Sequence, residues 1–311
     1  MRVVFFGTPD FAVESLDAIV QSRHTVAGVV TVPDRPAGRG QRLLQSAVKE
    51  YALAHNLPVL QPERLRDEGF LGQLQALQAD CFVVVAFRML PEVVWGMPPR
   101  GTFNLHASLL PRYRGAAPIN WAIIEGEAET GVTTFLLNHR IDEGNILLQE
   151  RTAIAADETA GSLHDRLAQM GRSLVTQTLD GLADGTLHGR PQEGTPCAAP
   201  KLYKDTTRLD FGQSASQVER MVRGLAPYPA ATLTLVNPKG EEVGFKIYRV
   251  AVTDEPCTCA KTLVCDGKNT LKIAANDYFV SVLELQMAGK KKNKIEDFLR
   301  GTNLTDWKIV D

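Results

Sequence analysis

The sequence has no apolar run long enough to cross a membrane, and its first residues do not have the pattern expected of a targeting segment. None of its stretches approaches the ~18–20 apolar residues that span a bilayer. The residues Arg2–Gly7 are typical of a first strand entering a turn, not of the charged and then apolar regions of a signal peptide. We therefore expect a cytoplasmic chain with no membrane partner.

Cysteine is scarce, and its pattern argues against disulfides and metal binding. The five cysteines are an odd number, which fits free thiols. Cys257, Cys259 and Cys265 come closest to a metal pattern, but they lack a fourth ligand at the spacing that zinc sites use. We expect no metal.

Net charge is nearly absent from the whole chain but is distributed unevenly. The total of -2 gives no indication of a polyanionic partner. Residues 201–311 hold 17 Lys and Arg against 14 Asp and Glu, a net of +3, which leaves a net of -5 for residues 1–200. This asymmetry suggests a basic binding surface on the C-terminal part.

The pattern along the 311 residues predicts two domains. Short apolar runs alternate with helical patterns in residues 1–185, and Cys81–Ala86 is a continuous apolar run, as in a strand covered on both faces. Residues 186–206 are rich in Gly and Pro, as in a linker. Residues 207–311 contain five short strand patterns. The predicted fold class is α/β: a Rossmann-like, mostly parallel sheet followed by a small OB-like β-barrel.

The first strand-to-helix turn does not fit a dinucleotide site. A dinucleotide fingerprint uses three glycines, and only Gly7 is present in Gly7–Phe11. Asp10, the predicted N-cap of the first helix, would repel a pyrophosphate there. A nicotinamide oxidoreductase is therefore disfavoured, and there is no P-loop.

Asn104 and His106 are two residues apart near the end of a predicted strand, so their side chains share one face. Ligands of open α/β sheets bind beyond the carboxyl ends of the strands. An amide donor beside an imidazole suits acyl transfer, in which a carbonyl oxygen becomes an oxyanion. The alternative is a strand end with a histidine that serves only the structure.

A carboxylate on a later loop would complete a catalytic group with Asn104 and His106. Asp142 stands between apolar Ile141 and the turn-forming Gly144, which places it on a sharp loop after a predicted strand. A carboxylate there can orient His106 and favour its charged form. Glu143 is an equal candidate from the residues alone.

The run Asn104-x-His106, then Ser108–Pro111 and Tyr113–Gly115, with Asp142 further on, resembles the signature of the folate-dependent formyltransferases. The resemblance extends from Arg2 to about Leu299. It implies that Asn104, His106 and Asp142 are catalytic, and that 10-formyltetrahydrofolate is the formyl donor, with no metal. The folate-binding residues implied are Ser108, Leu109, Leu110, Pro111, Phe87, Arg88, Leu90 and Ile141. The segment Ala86–Pro91 departs from the family pattern, since it is one residue shorter and has Arg88 in place of Gly.

Basic residues point to the branch of the family that acts on RNA. The Gly- and Pro-rich loop Pro33–Gly40 carries arginines able to reach phosphates and base edges, and a lysine cluster follows the last strands. The implied tRNA-binding residues are Arg35, Arg39, Arg42, Lys201, Lys204, Lys290, Lys291 and Lys292.

The resemblance implies a bacterial enzyme of translation initiation. It would transfer the formyl group of 10-formyltetrahydrofolate to the α-amino group of initiator methionyl-tRNA. We expect a monomer, because nothing in the sequence demands more. Residues 207–311 would then bind tRNA. Two other possibilities remain at this point: a formyltransferase acting on a small amine or sugar nucleotide, and a non-catalytic RNA-binding module.

Overall fold

The computed structural model describes residues 1–37 and 42–310, which form two compact units. The first unit consists of Met1–Gly115, Thr130–Thr152 and His164–Ala199. The second consists of Ala116–Glu129, Ala153–Leu163 and the residues from Pro200 onward. The domain limits 1–185, 186–206 and 207–311 stay a prediction.

The helices and strands follow the chain in a largely alternating order at first, and strands dominate later. The helices are α1 (Asp10–Val20), α2 (Ala47–Ala54), α3 (Glu68–Ala76), α4 (Glu92–Trp95), α5 (Pro118–Ile124), α6 (Ala160–Asp184), α7 (Ala215–Leu225) and α8 (Ile295–Leu299), with a 3-10 helix at Asp205–Thr207. The first strands are β1 (Arg2–Gly7), β2 (Thr25–Val30), β3 (Arg35–Ala37), β4 (Arg42–Leu44), β5 (Val59–Leu60), β6 (Cys81–Val85), β7 (Thr102–His106), β8 (Arg114–Gly115), β9 (Glu129–Leu136), β10 (Ile146–Ala153) and β11 (Ala198–Ala199). The later strands are β12 (Ala231–Val236), β13 (Glu242–Pro256), β14 (Leu263–Cys265), β15 (Leu271–Ala274), β16 (Tyr278–Met287), β17 (Asn293–Lys294) and β18 (Lys308–Ile309).

The sheet of the first unit has the strand order β10-β9-β7-β6-β1-β2-β5. The pairs from β7 to β5 are parallel, whereas β9 is antiparallel to β7. Every residue of β6 is buried, which explains its unbroken apolar sequence. Because β1, β6 and β7 run in parallel, the loops that follow them leave from the same edge of the sheet, where a Rossmann-like fold binds its ligands.

The second unit is built on antiparallel strands in the order β14-β15-β16-β13-β12-β18, with β17 beside β16. The long strand β13 pairs with both β12 and β16 and has register shifts between Ile247 and Val250, as expected where a sheet curls. Alternate residues of β12 are buried, so one face lines a core. Helix α7 begins with a Ser214–Gln217 capping box and packs on this core. The predicted fold class, a Rossmann-like sheet and a nearly closed antiparallel barrel, is confirmed.

Two local predictions are wrong in detail. Asp10 is the first residue of α1 and not its N-cap, because Pro9 holds the extended cap conformation (φ -81°, ψ 176°) and Asp10 accepts a hydrogen bond from Phe11 N at 2.9 Å. Strand β6 ends at Val85, one residue early, because Ala86 adopts a left-handed backbone with φ 47°.

Candidate active site

Asn104 and His106 lie on one face of β7, near its carboxyl end. Strand β7 pairs with β6 on one side and β9 on the other, so both of its edges are occupied. Side chains two residues apart on a strand point to the same side. The Oδ1 atom of Asn104 is buried and has no hydrogen-bond partner within the described part of the chain. A buried amide oxygen of this kind is uncommon, and near the carboxyl end of a strand it suggests a position where a ligand or a water donates to it.

The His106 ring is 7% exposed and is fixed by contacts at both nitrogens. Nε2 lies 2.8 Å from the carbonyl oxygen of Tyr113. Because a carbonyl only accepts, Nε2 carries the proton, and Nδ1 is left facing Asp142. The Nδ1 atom is 3.9 Å from Asp142 Oδ2. This distance suits an ion pair, and it is too long for a direct hydrogen bond.

Asp142 is held on the loop between β9 and β10 in a left-handed backbone conformation, with φ 56°. Asp and Asn tolerate this conformation better than most residues. The backbone N–H of Gly115 donates to Asp142 Oδ2 at 2.8 Å. The oxygen that faces His106 is therefore aimed by the loop that follows β7.

The structure decides between the two neighbouring carboxylates. Glu143 pairs with Arg114 at 3.1 Å and with Arg140 at 3.3 Å. It is therefore Asp142, not Glu143, that faces His106.

The loop that joins β7 to β8 is held in place by hydrogen bonds within the loop and from the neighbouring strands β9 and β10. The hydroxyl of Ser108 donates to the carbonyl of Arg112 at 2.6 Å. Thr133, the partner of His106 across the sheet, donates to the carbonyl of Ser108 at 2.6 Å. Thr133 Oγ1 also accepts from Leu110 N at 3.2 Å and from Gln149 Nε2 at 3.0 Å. These hydrogen bonds fix the loop's shape from the inside, because any movement of the loop would break them.

The residues predicted to contact folate differ in how far they are buried. Ser108, Leu110 and Pro111 are buried, so their side chains face the protein, and a ligand would meet their backbone. Leu90 also lies in the core, whereas Leu109 and Phe87 are partly buried. Ile141, beside Asp142, is 64% exposed and is free to cover a ligand.

Arg88 is held by hydrogen bonds to the backbone, which its sequence position did not predict. Its guanidinium donates to the carbonyls of Pro62 and Glu63 and lies 5.6 Å from the centre of the Phe87 ring. Burial and the charge of Arg35 lower the pKa of Arg88. A second cation nearby makes this a place that favours an anion.

The residues predicted to bind tRNA lie on both units. Arg35 is exposed on β3, Arg42 lies on β4, and Arg39 lies outside the described residues. Lys201, Lys204, Lys290 and Lys291 are exposed, and the Lys201 ammonium lies 5.8 Å from the centre of the Tyr203 ring. Lys292 is paired with Glu284 at 3.0 Å, so part of its charge is already balanced.

Sequence reasoning missed three polar residues that support this site: Thr133, Gln149 and Gln192. Gln149 Nε2 donates to the carbonyl of Leu110 at 2.9 Å, and its Oε1 accepts from Arg190 at 2.9 Å. Gln192 lies in the Gly- and Pro-rich segment, which has no periodicity to single it out. Only the strand position of Thr133, opposite the predicted His106, carried a signal in the sequence.

Replacing Gly144 by alanine is expected to damage the Asp142 loop. An added Cβ would lie 1.6 Å from the carbonyl oxygen of Leu136, a backbone atom that cannot rotate away. We expect a loss of about 1–3 kcal/mol in stability together with lower activity. Gly72→Ala is the control, because nothing lies within 4 Å of its added methyl and it sits inside α3. A Gly144→Ala protein with unchanged melting temperature and turnover would contradict this view of the loop.

Metal-binding clusters and membrane-spanning helices are both absent from residues 1–37 and 42–310. No group of three His, Cys, Asp or Glu side chains in these ranges is arranged to hold a metal ion. No helix in the same part of the chain is long and apolar enough to cross a membrane.

Comparison with protein families assigns this chain to a family. Residues 1–179 match the formyl transferase model, and residues 201–303 match the model of the formyl transferase C-terminal domain. The chain therefore belongs to the formyl transferase family. It is 51% identical to the methionyl-tRNA formyltransferase of Bacteroides fragilis, covering 98% of this chain and 96% of the relative. It is 48% identical to the methionyl-tRNA formyltransferase of Flavobacterium johnsoniae, covering 98% of each.

Solved structures share the fold at much lower identity. A sugar 3N-formyl transferase, solved in the presence of dTDP and 5-N-formyl-THF, is 18% identical with a TM-score of 0.65, covering 94% of this chain and 99% of that one. HypX from Aquifex aeolicus, solved in complex with tetrahydrofolic acid, is 17% identical with a TM-score of 0.66, covering 98% of this chain and 48% of that one. These likenesses confirm the fold.

Proposed function

We propose that this formyltransferase moves the formyl group of 10-formyltetrahydrofolate to the α-amino group of initiator methionyl-tRNA, which then serves translation initiation. The observation that carries the proposal is the facing pair of His106 Nδ1 and Asp142 Oδ2, beside Asn104 at the carboxyl end of β7. The similarity to methionyl-tRNA formyltransferases over nearly the whole chain supports the choice of acceptor.

The reaction joins the amine nitrogen to the formyl carbon and breaks the bond from that carbon to N10. Attack by the free amine converts the formyl oxygen to an oxyanion, and its collapse expels N10, which takes up the equivalent of the proton that the amine loses. The amide N–H of Asn104 donates to the oxyanion, and the positive charge of the His106 ring stabilises it electrostatically. No covalent enzyme intermediate is required, because the deprotonated amine is itself a good nucleophile.

Asp142 is suited to accept the proton that the amine loses. The 3.9 Å between its Oδ2 and His106 Nδ1 is too short for a water to lie between them, so the proton would pass through a water beside the pair that contacts both Oδ2 and the amine. In this mechanism Asp142 stabilises the charged form of His106 in the transition state and receives the amine's proton through that water.

Folate enters as a substrate and needs a site for both its ring and its acidic tail. The ring is expected to lie between the segment Phe87–Leu90 and the loops carrying Ser108–Pro111 and Ile141. The cationic surroundings of Arg88 suit the tail. The tRNA is expected to meet Arg35, Arg39 and Arg42 near its acceptor end. Lysines further along the chain would contact its phosphates.

A product assay tests the proposal. The protein is incubated with 10-formyltetrahydrofolate and charged initiator methionyl-tRNA, and formyl-methionyl product is followed. Free methionine and an amino sugar nucleotide serve as competing acceptors. Turnover with the tRNA and little with the small amines is the expected result. Turnover with a small amine and none with the tRNA would reject the acceptor.

Reversing the charge of Lys290 and Lys291 is expected to weaken tRNA binding. Both side chains are exposed, and Lys292 is left out because it pairs with Glu284. For each phosphate that the protein no longer neutralises, the slope of log affinity against log salt should become shallower by about 0.9 or less. The double variant should therefore bind tRNA more weakly, with a shallower salt slope, and should keep its affinity for folate.

The control for these lysines is Lys268→Glu, which changes an exposed lysine on another turn of the barrel. This variant should bind tRNA with the wild-type affinity and salt slope. Equal affinity of the Lys290 and Lys291 double variant and of wild type for tRNA at low salt would show that these lysines do not contact tRNA.

A further inference from the structure

Gln192 is a partly buried residue in an otherwise exposed stretch of chain after α6. Pro191 and residues 193–196 are exposed. The side-chain amide of Gln192 donates from Nε2 to the carbonyls of Asp142 at 2.8 Å and Gly144 at 2.9 Å. Its Oε1 accepts from Arg114 Nη2 at 2.7 Å and Nε at 3.2 Å. Both donors and both acceptor positions of the amide are therefore used.

These contacts join the two loops that build the active site. Arg114 immediately precedes Gly115, whose N–H aims the Asp142 carboxylate. The backbone of Asp142 is held by Gln192, and Gln192 is held by the Arg114 side chain. The result is a closed ring of hydrogen bonds, which we call the Gln192 bridge. Arg114 also pairs with Glu143 on the same loop.

The Asp142 loop needs external support because of its backbone conformation. A residue other than glycine in the left-handed region costs on the order of 1 kcal/mol and persists only where its surroundings impose it. Gln192 binds the carbonyl of Asp142 itself and that of Gly144, two residues further on. Glutamine is suited to this role because it donates twice to one loop and accepts twice from the other.

We propose that Gln192 is a positioning residue for formyl transfer, which holds the Asp142 carboxylate opposite His106 by fixing the Asp142 loop against the Arg114–Gly115 segment. Gln192 acts through Asp142 and not on the substrates. The inference rests on the proposed function only for its kinetic consequence, since the bridge itself is a feature of the fold.

The kinetic test compares Gln192→Ala and Gln192→Glu with wild type. A loop displacement of about 1 Å is enough to lower kcat by about ten- to a hundredfold. We expect that loss in kcat, with KM values for folate and tRNA within about threefold of wild type. Gln192→Glu keeps the contact to Arg114 but places a carboxylate against two carbonyls, so it should fail like alanine. Glu193→Ala, the exposed neighbour, is the control and should keep wild-type turnover.

A double-mutant cycle separates positioning from general stabilisation. If Gln192 acts through Asp142, adding Gln192→Ala to Asp142→Asn should reduce kcat by little more than Asp142→Asn alone, because residues that act as a unit are not additive. Losses that multiply would overturn the proposal.

Amide hydrogen exchange tests the bridge without any turnover. The Gly115 N–H is protected by Asp142 Oδ2, so its exchange should accelerate in Gln192→Ala while amides of β1 and β6 keep wild-type rates. Unchanged exchange at Gly115, or a uniform rise over the whole chain, would overturn the positioning role. Failure of wild-type protein to formylate methionyl-tRNA would instead reject the proposed function, and the exchange result would still decide the bridge.

Discussion

Replacing Asn104 by alanine is expected to lower kcat by about 10²–10³-fold, the loss typical of one oxyanion donor in acyl transfer. Asn104 sits on the strand that carries His106 and is only partly buried, so its amide N–H group can serve as a donor at the carboxyl end of β7. The expected loss arises only in the transition state, when the formyl oxygen becomes negative. KM for folate and the affinity for tRNA should therefore change little.

The control for Asn104 must separate chemistry from folding. Asn104→Asp keeps the size of the side chain but replaces the donor by a carboxylate that repels the oxyanion, so we expect a loss at least as large. Both variants should keep melting temperatures close to wild type, because Asn104 is only partly buried. Turnover of either variant near the wild-type rate would place the oxyanion elsewhere.

Asp142→Asn should be the second variant with a large effect, with kcat lowered by about 10²–10⁴-fold, the range for loss of a positioned acid–base group. Asparagine tolerates the left-handed backbone of position 142 and still offers an oxygen to Gly115 N–H. The loop should therefore keep its shape while the charge opposite His106 is lost. Rapid-quench measurement of single turnovers shows whether the loss lies in the chemical step.

Glu143→Gln provides the matched control for this charge. Glu143 is the adjacent carboxylate, and its partners are Arg114 and Arg140. We expect less than about a threefold change in kcat, because Glu143 does not face His106 and glutamine can still accept hydrogen bonds from Arg114 and Arg140. Equal losses in the two variants would mean that the net charge of the loop matters, and not the geometry of Asp142.

The sequence reveals those parts of this site that follow from the side-chain periodicity of a strand or from a position at the end of a strand. Asn104 and His106 are two residues apart, which puts them on one face of the strand because the side-chain period of a strand is two. The unbroken apolar sequence of β6 predicts a strand covered on both faces, and every residue of that strand is buried.

What the sequence does not reveal depends on contacts between distant segments. The choice between Asp142 and Glu143 is made by Gly115 N–H and Arg114, which lie about thirty residues earlier in the chain. Gln192 is inconspicuous in a Gly- and Pro-rich stretch, and its role depends on the folding of that stretch against two loops. The burial of Leu110 likewise follows from the packing beneath its loop, against Phe135 and Ile146.

The most direct measurement of the central claim is a crystal structure of the protein with 5-formyltetrahydrofolate, an analogue that resists transfer. The claim is that formyl transfer takes place where Asn104, His106 and Asp142 meet at the carboxyl end of β7. We predict that the N10 end of the folate lies within hydrogen-bonding reach of Asn104 and His106, with the ring beside the Phe87–Leu90 segment. A folate bound away from β7, with Asn104 and His106 touching no part of it, would contradict the assignment of this site.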